Sequence, residues 1–192
     1  MENHVDEPDE FDRRIKKYIG ELHRSFRYQP GRFYGSATNV SLGVGVICSK
    51  APYVLYDPIR KRMGAVRGLA LVLTHECDLA NDRFACEDLL ICPIIPVENL
   101  LAAFSKVEAH LENFIDALAK DMVSRLFYLP PLTPFLKNGG ILPLNQITTT
   151  RIEWFSRKTE RIAALSEYAA FRVDRKLENH LLRSKADQLP RY

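Results

Sequence analysis

Two short apolar runs separated by a polar segment constrain the fold of this chain more than any other feature of its sequence. The first run, 69–73, alternates leucines with Ala70 and Val72, and the second run, 89–95, is almost wholly apolar. Both runs are shorter than a typical helix and have the length of a buried strand. We therefore predict that they form paired β-strands, with the polar residues between them at the end of the first strand.

Helical periodicity predicts three further elements. Apolar residues recur at three- and four-residue steps over 11–28 and again over a long helical insertion at 99–126. A C-terminal helix is predicted over 166–188, with Ser166 at its start. The acidic residues 1–10 are expected to form a flexible tail.

Strand-like segments separated by turns fill most of 40–155. They include 141–155, where isoleucine, threonine and aromatic residues favour strand. Short strands, one inserted helix and terminal helices together predict an α+β fold built on a small, strongly bent β-barrel. A chain of 192 residues is long enough for one sizeable core, so we predict a single domain over 1–192.

Composition narrows the class of protein. The apolar runs fall far short of the roughly 20 residues that a membrane-spanning helix needs. The acidic N-terminal sequence lacks the basic and apolar regions of a secretory signal, and the four cysteines have irregular spacing, which indicates reduced thiols. We expect a cytoplasmic protein with no membrane partner.

Basic residues are concentrated around the first predicted strand, although the net charge of the chain is only +3. Arg60, Lys61 and Arg62 form a basic turn, Arg67 precedes the strand, and Arg83 lies between the two apolar runs. Guanidinium groups suit the phosphates of RNA or another single-stranded nucleic acid, and these residues are the candidate nucleic-acid contacts. The alternative is a solvated charged surface without a ligand.

Three stretches carry a resemblance to a known family. They are VRGLALVL at 66–73, LICPI at 90–94 and LNQITT at 144–149. Their order resembles that of the MazF/PemK (Kid) family of toxin–antitoxin ribonucleases, which have an Arg before a strand, a "VP-type" strand and a later strand with an acid-Gln pattern. The resemblance implies an SH3-like barrel and a toxin-like nucleic-acid-binding protein or endoribonuclease of a bacterial toxin–antitoxin or phage-defence system. An antitoxin or other partner protein and a homodimer are the implied assemblies.

The chain also departs from that family's pattern. The family pairs its catalytic Arg, which corresponds to Arg67, with a Thr or Ser after the VP-type strand, and here that position falls at Ile95 or Pro96. Asn145 stands where the family has an acidic residue. The missing hydroxyl favours a second class of function, a non-catalytic SH3-barrel protein-interaction module in a multi-component bacterial defence complex.

A candidate catalytic group lies where the first predicted strand ends. His75 and Cys77 are two residues apart, so in an extended segment their side chains converge on one face, which permits a His-activated thiolate. Arg67 or Arg83 would supply positive charge, and Asp78 completes the candidate catalytic set. The alternative is that Cys77 is a small buried residue and Asp78 a turn or helix-cap acid.

Zinc binding is the other chemical hypothesis for this segment. His75, Cys77, Cys86 and Cys92 carry suitable donor atoms, but the sequence has no Cys-x-x-Cys pair and Cys92 lies in an apolar run. Packed cysteines are therefore the favoured interpretation. We expect neither a metal nor a cofactor.

Overall fold

The computed structural model describes residues 8–26, 32–35, 41–57, 61–75, 79, 87–104, 111–156 and 159–186. The predicted α+β class is confirmed. The helices are α1 (Pro8–Ser25), α2 (Val97–Phe104), α3 (Leu111–Ala119), α4 (Ile152–Ser156) and α5 (Glu167–Ala186). The strands are β1 (Tyr34–Gly35), β2 (Val46–Asp57), β3 (Arg62–Val72), β4 (Asp88–Pro96), β5 (Leu126–Leu129), β6 (Gly140–Pro143), β7 (Thr148–Arg151) and β8 (Glu160–Leu165).

The strands form one antiparallel sheet in the order β1-β8-β2-β3-β4-β6-β5, and β7 also pairs with β4. The two apolar runs pair as predicted, with Leu69 opposite Ile94 and Val72 opposite Ile91. The predicted small, strongly bent barrel is not closed, because within the described ranges the sheet is open and no pairing joins its end strands. The end strand β1 has only two residues, and β7 pairs with β4 and is followed directly by α4.

The chain divides into two compact units. The first comprises residues 1–27 and 95–141, in which α1 packs on α2 and α3. Apolar side chains from these helices and from β5 form its core, including Leu22, Leu101 and Ile115. The three helices are amphipathic, and burial of their apolar faces against one another stabilises this unit.

The second unit comprises residues 28–94 and 142–192. That residues 1–192 form a single domain remains a prediction. The core of the second unit lies on one face of β2, β3 and β4 and includes Val46, Ala70, Leu89 and Phe155. These strand residues alternate with residues of the opposite face, as strand geometry requires. β8, which sequence periodicity did not predict, pairs with β2 from Val46 to Ser49.

Several predicted element bounds need correction. The helix predicted over 99–126 does not reach Leu126, because α3 ends at Ala119 and Leu126 begins β5. Between them, Asp121 adopts a φ of +60°. The part of the predicted helix at 105–110 lies outside the described residues. α1 begins at Pro8, inside the predicted acidic tail, where acidic residues favour a helix N-terminus. The strand predicted over 141–155 is two strands, a short 3₁₀ helix and α4.

The start of the C-terminal helix agrees closely with its prediction. The Ser166 hydroxyl oxygen accepts a hydrogen bond from the Ala169 amide at 3.2 Å, just before α5 begins at Glu167. This contact satisfies one of the amides that a helix N-terminus leaves without an intrahelical partner.

Candidate functional site

The outer halves of β2 and β3 form what we call the hairpin arm, residues 51–57 and 62–68. Its two strands pair continuously from Ala51 opposite Gly68 to Asp57 opposite Arg62. β4 pairs with β3 only from Leu69 onward, and β8 pairs with β2 only as far as Ser49. In the described part of the chain, the strands of the arm therefore pair with each other and with no further strand.

A β-bulge marks the base of the arm. Cys48 lies opposite Ala70 and Ala51 opposite Gly68, so β2 has one more residue than β3 between these two pairs. Within the bulge, Lys50 has a left-handed φ of 57°. The guanidinium of Arg67 donates a hydrogen bond from Nη1 to the Lys50 carbonyl oxygen at 3.2 Å, which ties the arm to its base.

A second contact at the bulge comes from β8. The Lys50 ammonium pairs with the Glu160 carboxylate, and the Ser49 hydroxyl donates to Glu160 Oε2 at 3.4 Å. The hydrogen bond from Lys50, together with its charge, lowers the pKa of Glu160. Glu160 thus holds Lys50, whose carbonyl in turn positions Arg67.

A groove of about 270 Å³ lies between the arm, β7 and α4. This volume falls just below the range of about 300–1,000 Å³ that is usual for drug-sized ligands, so the groove holds one or two side chains or one ring system. Most of the lining residues are apolar or aromatic. They are Pro52, Tyr53, Val54, Ala65, Val66, Arg67, Thr149, Thr150 and Trp154.

The floor of the groove depends on Gly68. Tyr53 lies on the same face of the hairpin as Val66, its partner across the strands, and its hydroxyl occupies the space that a Cβ at Gly68 would need. The Tyr53 side chain is 9% exposed, and burial raises the pKa of its phenol. Only glycine at position 68 lets this ring lie across β3.

Trp154 forms the opposite wall. Phe155 is buried in the core of the second unit, whereas the neighbouring Trp154 is 56% exposed. The start of α4 is fixed by the Ile152 amide, which donates to the Glu87 carbonyl oxygen at 2.8 Å, and by an ion pair between Arg151 and Glu87. A large aromatic side chain is thereby held in an exposed position beside the arm.

Exposed apolar side chains lie on both faces of the arm. Val54 and Met63 are 42% and 63% exposed on one face, and Val66 is 39% exposed on the face of Tyr53; Val54, Val66 and Trp154 line the groove together. Exposed apolar residues that lie together mark interaction sites more often than isolated ones do. Methionine, tryptophan and arginine are also enriched in protein–protein interfaces.

The predicted catalytic residues are not brought together with this groove. Arg67 lines it, but about 17 Å of extended strand separate Arg67 from Val72, and His75 lies three residues further on. The exposed His75 instead lies within electrostatic reach of Asp174 on α5, where it opposes the effect of burial on the pKa of that carboxyl. Cys77 and Asp78 lie outside the described residues.

The predicted nucleic-acid contacts are also separated. Lys61 and Arg62 are exposed at the end of the arm, but strand alternation places Arg62 and Arg67 on opposite faces of β3. Arg60 and Arg83 lie outside the described residues. The described cations therefore occupy two separate positions, with Lys61 and Arg62 at the end of the arm and Arg67 near its base.

Cys92 behaves as a packed thiol. It is buried in β4, its Sγ lies 3.6 Å from the Pro143 carbonyl oxygen, and burial raises its pKa to about 12. This environment disfavours the thiolate that zinc requires. Among the described residues no cluster of His, Cys, Asp and Glu could hold a metal, and Cys77 and Cys86 are not among them.

Tyr53, Val66 and Trp154 are the candidate functional residues that sequence reasoning missed. The signal for Trp154 was its position as the single tryptophan in a stretch rich in isoleucine and threonine, which we assigned to a strand. An exposed tryptophan is unusual enough to indicate a site, but exposure becomes visible only in the structure.

No protein-family model matches the chain, and no curated protein is similar to it at a significant level. Of the helices that the structure describes, none combines the length and the apolar character needed to cross a bilayer.

Proposed function

We propose that this protein is a non-catalytic interaction module whose hairpin arm and adjoining groove dock a partner protein. The observation that carries the proposal is the group of exposed apolar side chains on an arm with open strand edges. Val54, Met63 and Val66 lie on the arm, and Trp154 stands across the groove from it. Exposed edges and apolar patches are costly for a protein unless a partner covers them.

The chemistry of the groove supports docking over catalysis. Its lining residues carry two threonine hydroxyls, one phenol and one guanidinium, and within the described residues they include no carboxylate, imidazole or thiol. Carboxylates, imidazoles and thiols are the groups that general acid–base and nucleophilic catalysis use most often, and the one phenol in the groove is buried. The arrangement can bind and orient a ligand.

The charges around the groove support a protein partner over a polyanion. Lys50 pairs with Glu160, and Arg151 pairs with both Glu87 and Asp88. These pairs neutralise cations that a nucleic-acid site would present to phosphate.

Binding of single-stranded nucleic acid is the second candidate function. It is favoured by one observation, that Arg67 and the exposed Trp154 line the same groove. A guanidinium and an exposed indole can hold a phosphate and stack a base. In this case Arg62 and Lys61 would supply further phosphate contacts.

Site-specific photo-cross-linking tests the docking proposal. A benzophenone amino acid in place of Met63 on the arm should cross-link to the same protein as one in place of Trp154, and a probe at the exposed Phe135 of the first unit serves as the matched control. The purified partner should then bind the wild-type protein and lose at least about tenfold in affinity with Val66→Glu, which places a charge in the apolar patch. Equal cross-linking from all three positions, or products that contain only nucleic acid, would exclude the docking proposal.

A further inference from the structure

We infer that the partner binds by strand addition: an extended segment with alternating acidic and apolar residues pairs with the open edge of β3 from Arg62 to Gly68. This inference rests on the proposed docking function and specifies the chemistry of the partner. It follows from the edge, the two faces and the charge of the arm.

The edge of β3 is the one suited to pairing. The opposite edge of the arm contains Pro52, which has no amide hydrogen to donate and therefore interrupts a ladder. In the arm, β3 carries no proline, and its outer edge from Arg62 to Gly68 has no partner strand among the described residues. An open edge presents alternating amide and carbonyl groups, which another polypeptide backbone matches and a nucleic-acid backbone does not.

The two faces of β3 select the side chains of the added strand. Gly64, Val66 and Gly68 lie on the same face of the hairpin as Tyr53, so beyond Arg62 at the end of the arm this face carries small and apolar groups. Arg67 lies on the opposite face of the hairpin, beside Ala65 and Met63, and also lines the groove. Because side chains of the added strand also alternate, its apolar residues would meet Val66 and Trp154 while its carboxylates meet Arg67.

The charge of the edge excludes a second copy of this chain as the favoured occupant. Lys61, Arg62 and Arg67 are all exposed cations, and the described side chains of 61–68 include no acidic residue. Two such edges brought together would place like charges against each other, which disfavours pairing. A segment rich in glutamate or aspartate has the complementary charge.

A synthetic peptide can test this geometry. The probe is a heptapeptide of alternating glutamate and valine, and the comparison peptides are its lysine counterpart and a version with proline at the central valine. Binding is followed through the emission of Trp154, which is the single tryptophan of the chain. The glutamate peptide is expected to bind at least about tenfold more tightly than either comparison peptide, because only it combines charge complementarity with an unbroken backbone ladder.

Variants of the protein separate the contributions. Arg67→Ala should weaken binding of the glutamate peptide by about tenfold, while Arg175→Ala, which removes an exposed arginine on α5, should change it by less than about twofold. Circular dichroism of each variant shows whether it folds. If Arg67→Ala does not fold, Arg67→Lys, which retains the charge but not the guanidinium geometry, takes its place and should weaken binding to a smaller extent.

The outcomes distinguish this inference from the function on which it rests. Equal binding of the glutamate peptide and its proline-containing version would overturn strand addition. The docking function would still stand if the benzophenone probe in place of Met63 cross-links to a protein. A dimer of the isolated protein that protects β3, or tighter binding of a single-stranded RNA oligonucleotide than of the glutamate peptide, would overturn the acidic segment as the occupant. Failure of both the peptide titration and the cross-linking would remove the docking function itself.

Discussion

Gly68→Ala should destabilise the protein by about 1–3 kcal/mol, the usual cost of forcing extra volume into a packed site. A Cβ at this position would lie closer to the Tyr53 hydroxyl oxygen than real Cβ atoms come to any atom. It would also lie 3.3 Å from Cζ and 3.6 Å from Cε1 of the same ring. Since the Tyr53 ring is 9% exposed and forms the groove floor, it has little room to move. The ring must either shift or rotate out of the groove.

The matched control is Gly64→Ala on the same strand. A Cβ there meets its nearest atom, the Leu55 carbonyl oxygen, at 4.0 Å, which is ordinary contact. Replacing this strand glycine by alanine should therefore stabilise the protein by about 0.5–1 kcal/mol through the reduced freedom of the unfolded chain. Urea denaturation of both variants, with comparison of the m-values, gives the two free energies of unfolding.

A double-mutant cycle identifies the cause. Removing the hydroxyl in Tyr53→Phe eliminates the closest clash, so Tyr53→Phe with Gly68→Ala should be more stable than the sum of the two single changes predicts. Two results would refute this reasoning. One is a Gly68→Ala protein as stable as Gly64→Ala, and the other is strict additivity of the cycle.

Three further predictions concern titratable groups. Burial raises the pKa of both Cys48 and Cys92 to about 12, so neither thiol should react with a disulfide reagent in the native protein near pH 8, and both should react in denaturant. The pKa of Glu160 is lowered on folding, so its contribution to stability is present above about pH 4.3 and is lost as the pH falls through the folded pKa. The free energy of unfolding of Glu160→Gln should therefore fall less steeply in acid than that of the wild type. Burial raises the pKa of Asp174, so its contribution to stability is present below about pH 3.9 and is lost as the pH rises through the folded pKa. Over that interval the free energy of unfolding of Asp174→Asn, measured by urea denaturation, should increase relative to that of the wild type. Parallel pH profiles of the two proteins would contradict this.

Sequence reasoning succeeded where one local pattern determines the structure. The alternation in 69–73 and the apolar run at 89–95 predicted the pairing of β3 with β4, because a one-residue change of register would move every buried side chain to the other face. Ser166 predicted the start of α5, because capping depends on only a few residues.

The errors arose where tertiary contacts outweigh local propensity. The threonine-rich segment does form strand β7, as its composition favours, but the strand ends at Arg151 and α4 begins at Ile152, whose amide contacts Glu87. The bent barrel was predicted from the short strands and the order of the helices, whereas closure depends on which strands pair at the ends of the sheet.

The groove was not predictable from spacing along the chain. It combines residues 52–54 and 65–67 of the arm with Thr149, Thr150 and Trp154, which follow them by more than 80 positions. The basic turn and the His75–Cys77 motif gave the stronger sequence signals. The exposed apolar patch carried none, because Val54, Met63 and Val66 look like ordinary strand residues until their exposure is known.

Residue-resolved amide hydrogen exchange of β3 in the isolated protein tests the central claim of an open docking edge most directly. Amides of Leu69 to Val72 lie between β2 and β4 and should all be protected. From Arg62 to Gly68, protection should alternate, with every second amide exchanging fast because it points away from β2. Uniform slow exchange from Arg62 to Gly68 would show that this edge is already covered and would contradict the account.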